Sequence, residues 1–270
     1  MTKEQLINHL FEQLKSNGFE SARFEANEIV RSVCTSGLSD VEMTSEQVEL
    51  ARSRLELRLK HEPLQYILGE WEFYGLPFKV GSGVLIPRQD TETLVETVLP
   101  LIEKGKTRVF DLCAGSGCIG ITLAKLGGAK VTFFEKSCEA IGYLEQNLRL
   151  NNVDATVLQY DVLGQPYNGK ADIIVSNPPY IKTVVLNSLD TEVKYEPSMA
   201  LDGGEDGLDF YRHISTAWKP SLETGGYLAF EIGFDQGDAV QEIMRSAGFS
   251  DVTFKKDICG HDRVVTGRNK

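Results

Sequence analysis

The chain has no apolar run near the roughly 18 residues that a membrane-spanning helix requires. Its start, Met1-Thr2-Lys3-Glu4-Gln5, carries polar and acidic residues where a secretory leader needs an apolar core. Cysteine is scarce: five residues, at 34, 113, 118, 138 and 259, make no Cys-x-x-Cys pair. The four histidines, at 9, 61, 213 and 261, are equally scattered. This spacing offers no zinc site and no disulfide framework, and it points to reduced thiols in a cytoplasmic protein. Positive charge is also short. A net charge of −11 argues against a protein that lives on nucleic acid, which wants a basic face. The richest basic stretch is Arg52, Arg54, Arg58 and Lys60, with Glu56 as its only acid. Those residues fall on more than one side of a helix and read as a solvated face.

What is present is an ordinary soluble composition, 41% hydrophobic and 25% charged over 270 residues. That length accommodates a large domain with a small companion. Leu6, Ile7, Leu10, Phe11 and Leu14 recur at helical spacing, as do Ala22, Ala26, Ile29, Val30 and Val33. Thr44 with Gln47 opens a third helix as a capping box, and that helix stops before Pro63. Residues 1–63 are therefore expected to form a small helical domain. Alternating apolar positions around Gly75 predict a β-hairpin connector over 64–90. From 91 to 270 helices and strands alternate. Strands are expected at 107–111, 130–135, 155–159, 172–176, 226–231, 251–257 and 263–267. Helices are expected at 92–104, 118–126, 137–151, 207–219 and 235–247. The pattern implies an α/β fold, a seven-stranded and mostly parallel Rossmann-like sheet covered on both faces. The last two strands have no helix between them, so one is expected to run antiparallel.

Two motifs carry chemistry. The strand at 107–111 runs into Asp111-Leu112-Cys113-Ala114-Gly115-Ser116-Gly117, a glycine-rich turn that lets a ligand approach the backbone. Glu135 lies twenty residues past Gly115 and can take both hydroxyls of a ribose. Asp161 can accept from an adenine amine, and Val162 can pack on the ring. A nicotinamide dinucleotide competes for this pattern. Asp111 disfavours it, because a strand-end acid repels pyrophosphate and suits the cationic methionine end of S-adenosylmethionine. Asp111, Glu135 and Asp161 also read as ordinary strand-end acids or caps. The second motif, Asn177-Pro178-Pro179-Tyr180, ends a strand. Two prolines cannot extend a central strand. They stiffen a corner on which the Asn177 side-chain oxygen and the Pro178 carbonyl can both accept from one planar NH₂ group, with the Tyr180 ring against its plane. Such corners serve methyl transfer to exocyclic base amines or to a glutamine amide. Asp111, Glu135, Asp161 and Asn177 close successive strands, which places cofactor and substrate on one sheet edge.

With these motifs placed, the sequence resembles the HemK/PrmC family of protein-(glutamine-N5) methyltransferases. The resemblance runs through Pro63-Leu64-Gln65-Tyr66-Ile67-Leu68-Gly69, Leu85-Ile86-Pro87-Arg88-Gln89-Asp90-Thr91-Glu92, the glycine loop and Asn177 to Tyr180. It continues through Tyr195-Glu196-Pro197, Leu201 to Gly207 and Asp262 to Arg268. It implies a class I S-adenosylmethionine-dependent fold, an N-terminal domain that docks class 1 peptide chain release factors, and methylation of the glutamine in their Gly-Gly-Gln tripeptide. It further implies catalytic residues Asn177, Pro178, Pro179 and Tyr180. Cofactor contacts are implied from Asp111, Cys113, Ala114, Gly115, Ser116, Gly117, Glu135, Asp161, Val162 and Asn177. Neither a metal, a membrane nor a direct nucleic-acid partner is expected, and the chain is expected to be a monomer. Cys113, Ala114, Cys118, Val162 and Gln89 depart from the family's usual residues. Two other readings stand beside this one. A DNA adenine-N6 methyltransferase would need a basic surface, and a non-catalytic adapter would have no need of Asn-Pro-Pro-Tyr.

Overall fold

The computed structural model describes all 270 residues. The chain divides into two compact units, residues 1–70 with 190–195, and residues 71–189 with 196–270.

The first unit is helical. Helices α1 (Lys3–Ser16) and α3 (Ser45–Arg58) both open on capping boxes, Thr2 with Gln5 and Thr44 with Gln47. Each box satisfies two amide donors that a helix start would otherwise orphan. Between them lies α2 (Ala22–Arg31). α1 packs on α2 and α3, and Leu6, Leu10 and Leu14 of α1 are buried together with Ala26, Ile29 and Val30 of α2 and Ala51 of α3. A fourth helix, α4 (Leu64–Leu68), follows Pro63 and ends on Gly69 in the left-handed region, φ 74°. The hairpin expected over 64–90 therefore begins only at residue 70, because the proline starts a helix and the glycine caps it.

Arg58 is the electrostatic centre of this unit, and it corrects the expectation of a solvated basic face. It is 4% exposed and clasps buried Glu25 through two nitrogens at 2.6 and 3.1 Å. Its guanidinium lies 4.4 Å from the Phe19 ring centroid and donates to Glu192 at 2.6 Å. Tyr195 adds a hydroxyl donated to the Lys60 carbonyl at 3.1 Å. Breaking a buried pair from one side leaves an uncompensated charge and costs about 3–5 kcal/mol. Arg58→Ala is expected to lose stability on that scale, read as a lower urea midpoint and faster amide exchange in α2 and α3. Glu25→Gln, which leaves Arg58 with Glu192, should cost less.

The second unit opens with a two-stranded hairpin, β1 (Glu70–Phe73) and β2 (Leu76–Lys79). Tyr74 and Gly75 turn it with φ of 52° and 74°. Both central residues at positive φ match the twist of tight hairpins. There follow α5 (Glu92–Val98), β3 (Arg108–Leu112), α6 (Cys118–Thr122), β4 (Lys130–Glu135), α7 (Cys138–Asn151) and β5 (Thr156–Gln159). Then come β6 (Ala171–Ser176), α8 (Asp209–His213), β7 (Leu222–Glu231), α9 (Gly237–Ser246), β8 (Phe249–Lys256) and β9 (Asp262–Asn269). The seven strands lie in the order β5-β4-β3-β6-β7-β9-β8. β9 alone runs opposite to the other six strands.

Three helices end earlier than their sequence pattern suggests. Pro100 has no amide hydrogen, so α5 gives way to a single tighter turn at Leu99–Leu101. After α6 and α8 the chain widens into π-turns at Leu123–Gly127 and Ile214–Trp218.

Strand side chains alternate between two buried layers. Val109, Val131, Phe133 and Val175 pack with Leu94 and Val98 of α5, Ile121 of α6 and Leu144 of α7. Phe110, Phe134, Ile174 and Phe230 pack with Tyr211 of α8, Trp218, and Val240 and Met244 of α9. The strand ends are level. Leu112 pairs with Phe134 and with Ser176, Glu135 with Gln159, and Ser176 with Phe230. Loops leaving β3, β4, β5 and β6 therefore emerge side by side.

Candidate active site

A cavity of about 340 Å³ opens at that edge, within the size range of small-ligand sites. Its walls include residues 83–88, Thr91, 113–116, 118–119, 135–137, 139–140, 160–163, Asn177 with Pro179, 197–200, and Phe210. The β3–α6 loop is bent by three left-handed residues, Cys113 at φ 59°, Gly115 at 54° and Gly117 at 78°. A Cβ on Gly115 would meet nothing nearer than Val84 at 3.8 Å, so the demand there is conformational. At Gly117 a Cβ would fall 2.1 Å from Leu144, so that glycine also admits close packing of α7. Cys113 holds its left-handed backbone with a side chain present, at a cost of about 1–2 kcal/mol.

Glu135 ties the edge together. Its Oε2 accepts the Gly115 amide at 2.8 Å and its Oε1 accepts the Ser137 amide at 2.8 Å. Each carboxylate oxygen keeps lone-pair capacity for a further donor, and Glu135 lines the cavity. Asp161 also lines it, held by Lys136 Nζ at 2.8 Å and by the Leu163 amide at 3.0 Å. Lys136 is the main cause of a carboxyl lowered from its ordinary value. Val162 is buried at the same wall, its carbonyl accepting the Trp218 indole N–H at 2.9 Å.

Asp111 differs from its expected place. β3 continues one residue further, to Leu112, and Asp111 points into the sheet face under α6. It is fully buried, away from the cavity wall. Its Oδ2 accepts the Gly120 amide at 2.9 Å, while Oδ1 has no partner. Burial, reinforced by nearby Glu135, pushes its carboxyl up to about 8. Cys113, Ala114, Gly115 and Ser116 reach the wall, whereas Gly117 stands behind them.

At the second motif Pro178 and Pro179 are buried, and Asn177 and Pro179 face the cavity. The Asn177 Nδ2 approaches Thr91 Oγ1 at 3.3 Å, so its oxygen is the atom left to a ligand. Pro178 and the Tyr180 ring are not part of the cavity wall. Burial pushes the Tyr180 hydroxyl up to about 12, and its carbonyl accepts from Gln236 Nε2 at 3.1 Å.

Sequence reasoning missed much of the wall, including Gly83 to Arg88, Thr91, Pro197 to Ala200, and Phe210. Arg88 is paired with Glu196, whose other oxygen is buried without a partner. Burial raises the Glu196 carboxyl despite the pairing. The signal available is Leu85-Ile86-Pro87-Arg88 and Tyr195-Glu196-Pro197, a base and an acid each set in a proline-stiffened segment.

The donor set fits S-adenosylmethionine. Glu135 offers a fixed carboxylate for a diol, Asp161 an acceptor for an amine, and the loop an uncharged backbone. The two cations at the wall, Arg88 and Lys136, are each already paired with a carboxylate, which leaves neither for a pyrophosphate.

This sheet order, with a glycine loop after β3, an acid ending β4 and Asn-Pro-Pro-Tyr after β6, defines a methyltransferase of the seven-stranded Rossmann-like class. Solved structures share the fold. A methyltransferase from Pyrococcus furiosus superposes with TM-score 0.56 at 18% identity, covering 73% of this chain and 90% of that one. A 16S rRNA N2 G1207 methyltransferase from T. thermophilus, in complex with AdoMet and guanosine, gives TM-score 0.51 at 18% identity, covering 74% and 50%. The family description "PrmC N-terminal domain" matches residues 5–69, and "Methyltransferase small domain" matches residues 89–192. A release factor glutamine methyltransferase of Thermodesulfovibrio yellowstonii is 45% identical over 83% of this chain and 82% of its own length. One from Geobacter sulfurreducens is 40% identical over 94% and 92%. The chain belongs to the release factor glutamine methyltransferase family.

The folded chain holds the Asp111 proton up to about 8, while an unfolded chain releases it near 3.8. Across that window the folded state binds more protons, so this group takes stability away as pH rises. Asp111→Asn keeps an acceptor for Gly120 and removes the titration. Its stability relative to wild type is expected to grow by about 1.4 kcal/mol per pH unit within the window. Urea unfolding at pH values on either side of neutrality checks this, and parallel curves for the two proteins would refute it.

Proposed function

We propose that the protein transfers a methyl group from S-adenosylmethionine to the side-chain amide nitrogen of the glutamine in the Gly-Gly-Gln tripeptide of class 1 peptide chain release factors. The observation that carries this reading is the Asn177 amide at the cavity wall, its nitrogen engaged by Thr91 and its oxygen left to accept. The family relatives named for this reaction support the choice of acceptor. Glu135, Asp161, Val162 and the backbone of 113–117 would hold the cofactor, which when bound supplies an electrophilic methyl group on a sulfonium.

A primary amide nitrogen is a poor nucleophile because its lone pair is delocalised. The chain's contribution is placement. Asn177 Oδ1, at the cavity wall, and the Pro178 carbonyl, just outside it, accept the two substrate N–H groups and turn the nitrogen lone pair toward the cavity. Fixed geometry of this kind lowers a bimolecular barrier by roughly 7–11 kcal/mol. The same two carbonyl dipoles stabilise positive charge as it develops on nitrogen. One N–H proton then passes to water. Buried Pro178 and Pro179 keep both acceptors from swinging away, and Tyr180 fixes the corner from behind.

The helical unit is read as the docking surface for the release factor, acting in the cytoplasm. Five unpaired thiols suit that compartment, and no helix is long and apolar enough to cross a membrane. The adenine-N6 reading gains no support from the basic stretch of α3, since Arg58 is committed to Glu25 and Glu192.

The test is transfer of labelled methyl to purified release factor, to the same factor with its Gly-Gly-Gln glutamine changed to alanine, and to duplex DNA. Label on the intact factor alone is expected, and label on DNA would overturn the reading. Asn177→Ala should reduce turnover by at least about 10²-fold while cofactor binding stays detectable. Glu135→Ala should raise the cofactor Kd by at least about tenfold through lost charge-assisted hydrogen bonds.

A further inference from the structure

One deeply buried carboxylate at the edge has no part in this scheme. Glu231 closes β7, one residue past the pairing of Ser176 with Phe230, and so lies beside Asn177 on the adjacent strand end. It is 1% exposed, and its Oε2 has no hydrogen-bond partner. Asn177 follows Ser176 on β6 as Glu231 follows its partner Phe230 on β7, and the Asn177 amide is bonded at 3.3 Å to Thr91, itself 2% exposed. Arg263 precedes Val264, the register partner of Glu231 on β9, but its guanidinium is already held by Asp257 at 3.0 Å and Asp90 at 3.1 Å. Asp90, Tyr180, Tyr211 of α8 and Cys118 of α6 complete the titratable surroundings. A buried carboxylate without a dedicated cation is costly unless donors are turned toward it. Burial accordingly lifts the Glu231 carboxyl to about 7, opposed first by Thr91, then by Arg263 and Asn177.

An asparagine amide has two nearly isosteric orientations. Only one serves an incoming NH₂ group. Flipped, Asn177 would present donors to a donor. We propose that Glu231 is a positioning residue, whose ionised side chain, together with Thr91, draws the Asn177 amide nitrogen inward and keeps its oxygen turned to the cavity. Protonated Glu231 becomes a donor, able to hold the asparagine oxygen instead and stabilise the flipped orientation. This role rests on the glutamine reading above.

The consequence is a pH limb in turnover that belongs to neither substrate. Wild-type kcat on release factor should rise as pH passes through about 7, because the restraint exists only in the ionised form. Glu231→Gln, of equal size, should lower kcat by about 10²-fold through misplacement alone and abolish the limb. The cofactor Kd and the KM for release factor should stay near wild type. Thr91→Val removes the partner hydroxyl without changing shape, and should lower kcat while keeping the limb. Turnover in both variants equal to wild type at every pH would overturn the proposal. So would a Glu231→Gln loss matched by an equal loss of cofactor affinity, since that marks general disruption of the edge. A wild type that labels no release factor at any pH would remove the glutamine reading first, and the positioning role with it.

Discussion

Everything at the catalytic edge depends on level parallel pairing. Because β3, β4, β6 and β7 end in register, the first residue or two of four separate loops fall within reach of one another with no long excursion of chain. Main-chain hydrogen bonds set that alignment, so the strand side chains are free to be apolar and the polar groups can be confined to the last positions. Glu135 then locks the arrangement sideways, since one carboxylate accepts from the loop after β3 and from the turn before α7. A residue expected to recognise a ligand is also a structural tie, and it is correctly shaped before any ligand arrives. Preorganisation of this kind lowers the cost of ordering groups on binding.

The architecture was legible because alternating apolar strands and amphipathic helices leave few topologies for a right-handed crossover fold. All seven strands lie close to their expected spans, and the antiparallel exception followed from the missing helix before β9. What was not legible has local physical causes. Pro63 begins a helix whose five residues are too few to show a period. The π-turns after α6 and α8 look like ordinary helix in sequence, since the same apolar spacing serves both. Asp111 looks in sequence like a strand-end group, yet the strand runs one residue further, and a period of two turns a side chain from the edge into the face. Glu231 carried no motif at all. Its significance comes from a neighbour 54 positions earlier, a relation that only the sheet register creates.

The cavity has an unusual charge balance. Its two basic side chains are neutralised by acids, and two further carboxyls near it, Asp111 and Glu231, are pushed up toward neutrality by burial. Negative character is thus held in reserve around a site that offers no unpaired cation. A positively charged ligand entering such a site draws those buried acids toward ionisation, and the same acids cost less when it is bound. Ligand charge and proton binding are thereby linked, and occupancy of the cavity will exchange protons with solvent.

The membership of residues 190–195 in the helical unit bears on how the chain is made. Arg58 finds Glu25 as soon as the first helices leave the ribosome, but Glu192 lies 134 residues further along. At roughly 5–20 residues per second, that partner arrives on the order of ten seconds later. For that interval the nascent helical unit carries a half-neutralised guanidinium and lacks the Tyr195 contact to Lys60. The first-made unit is therefore completed only when most of the parallel sheet has already been synthesised.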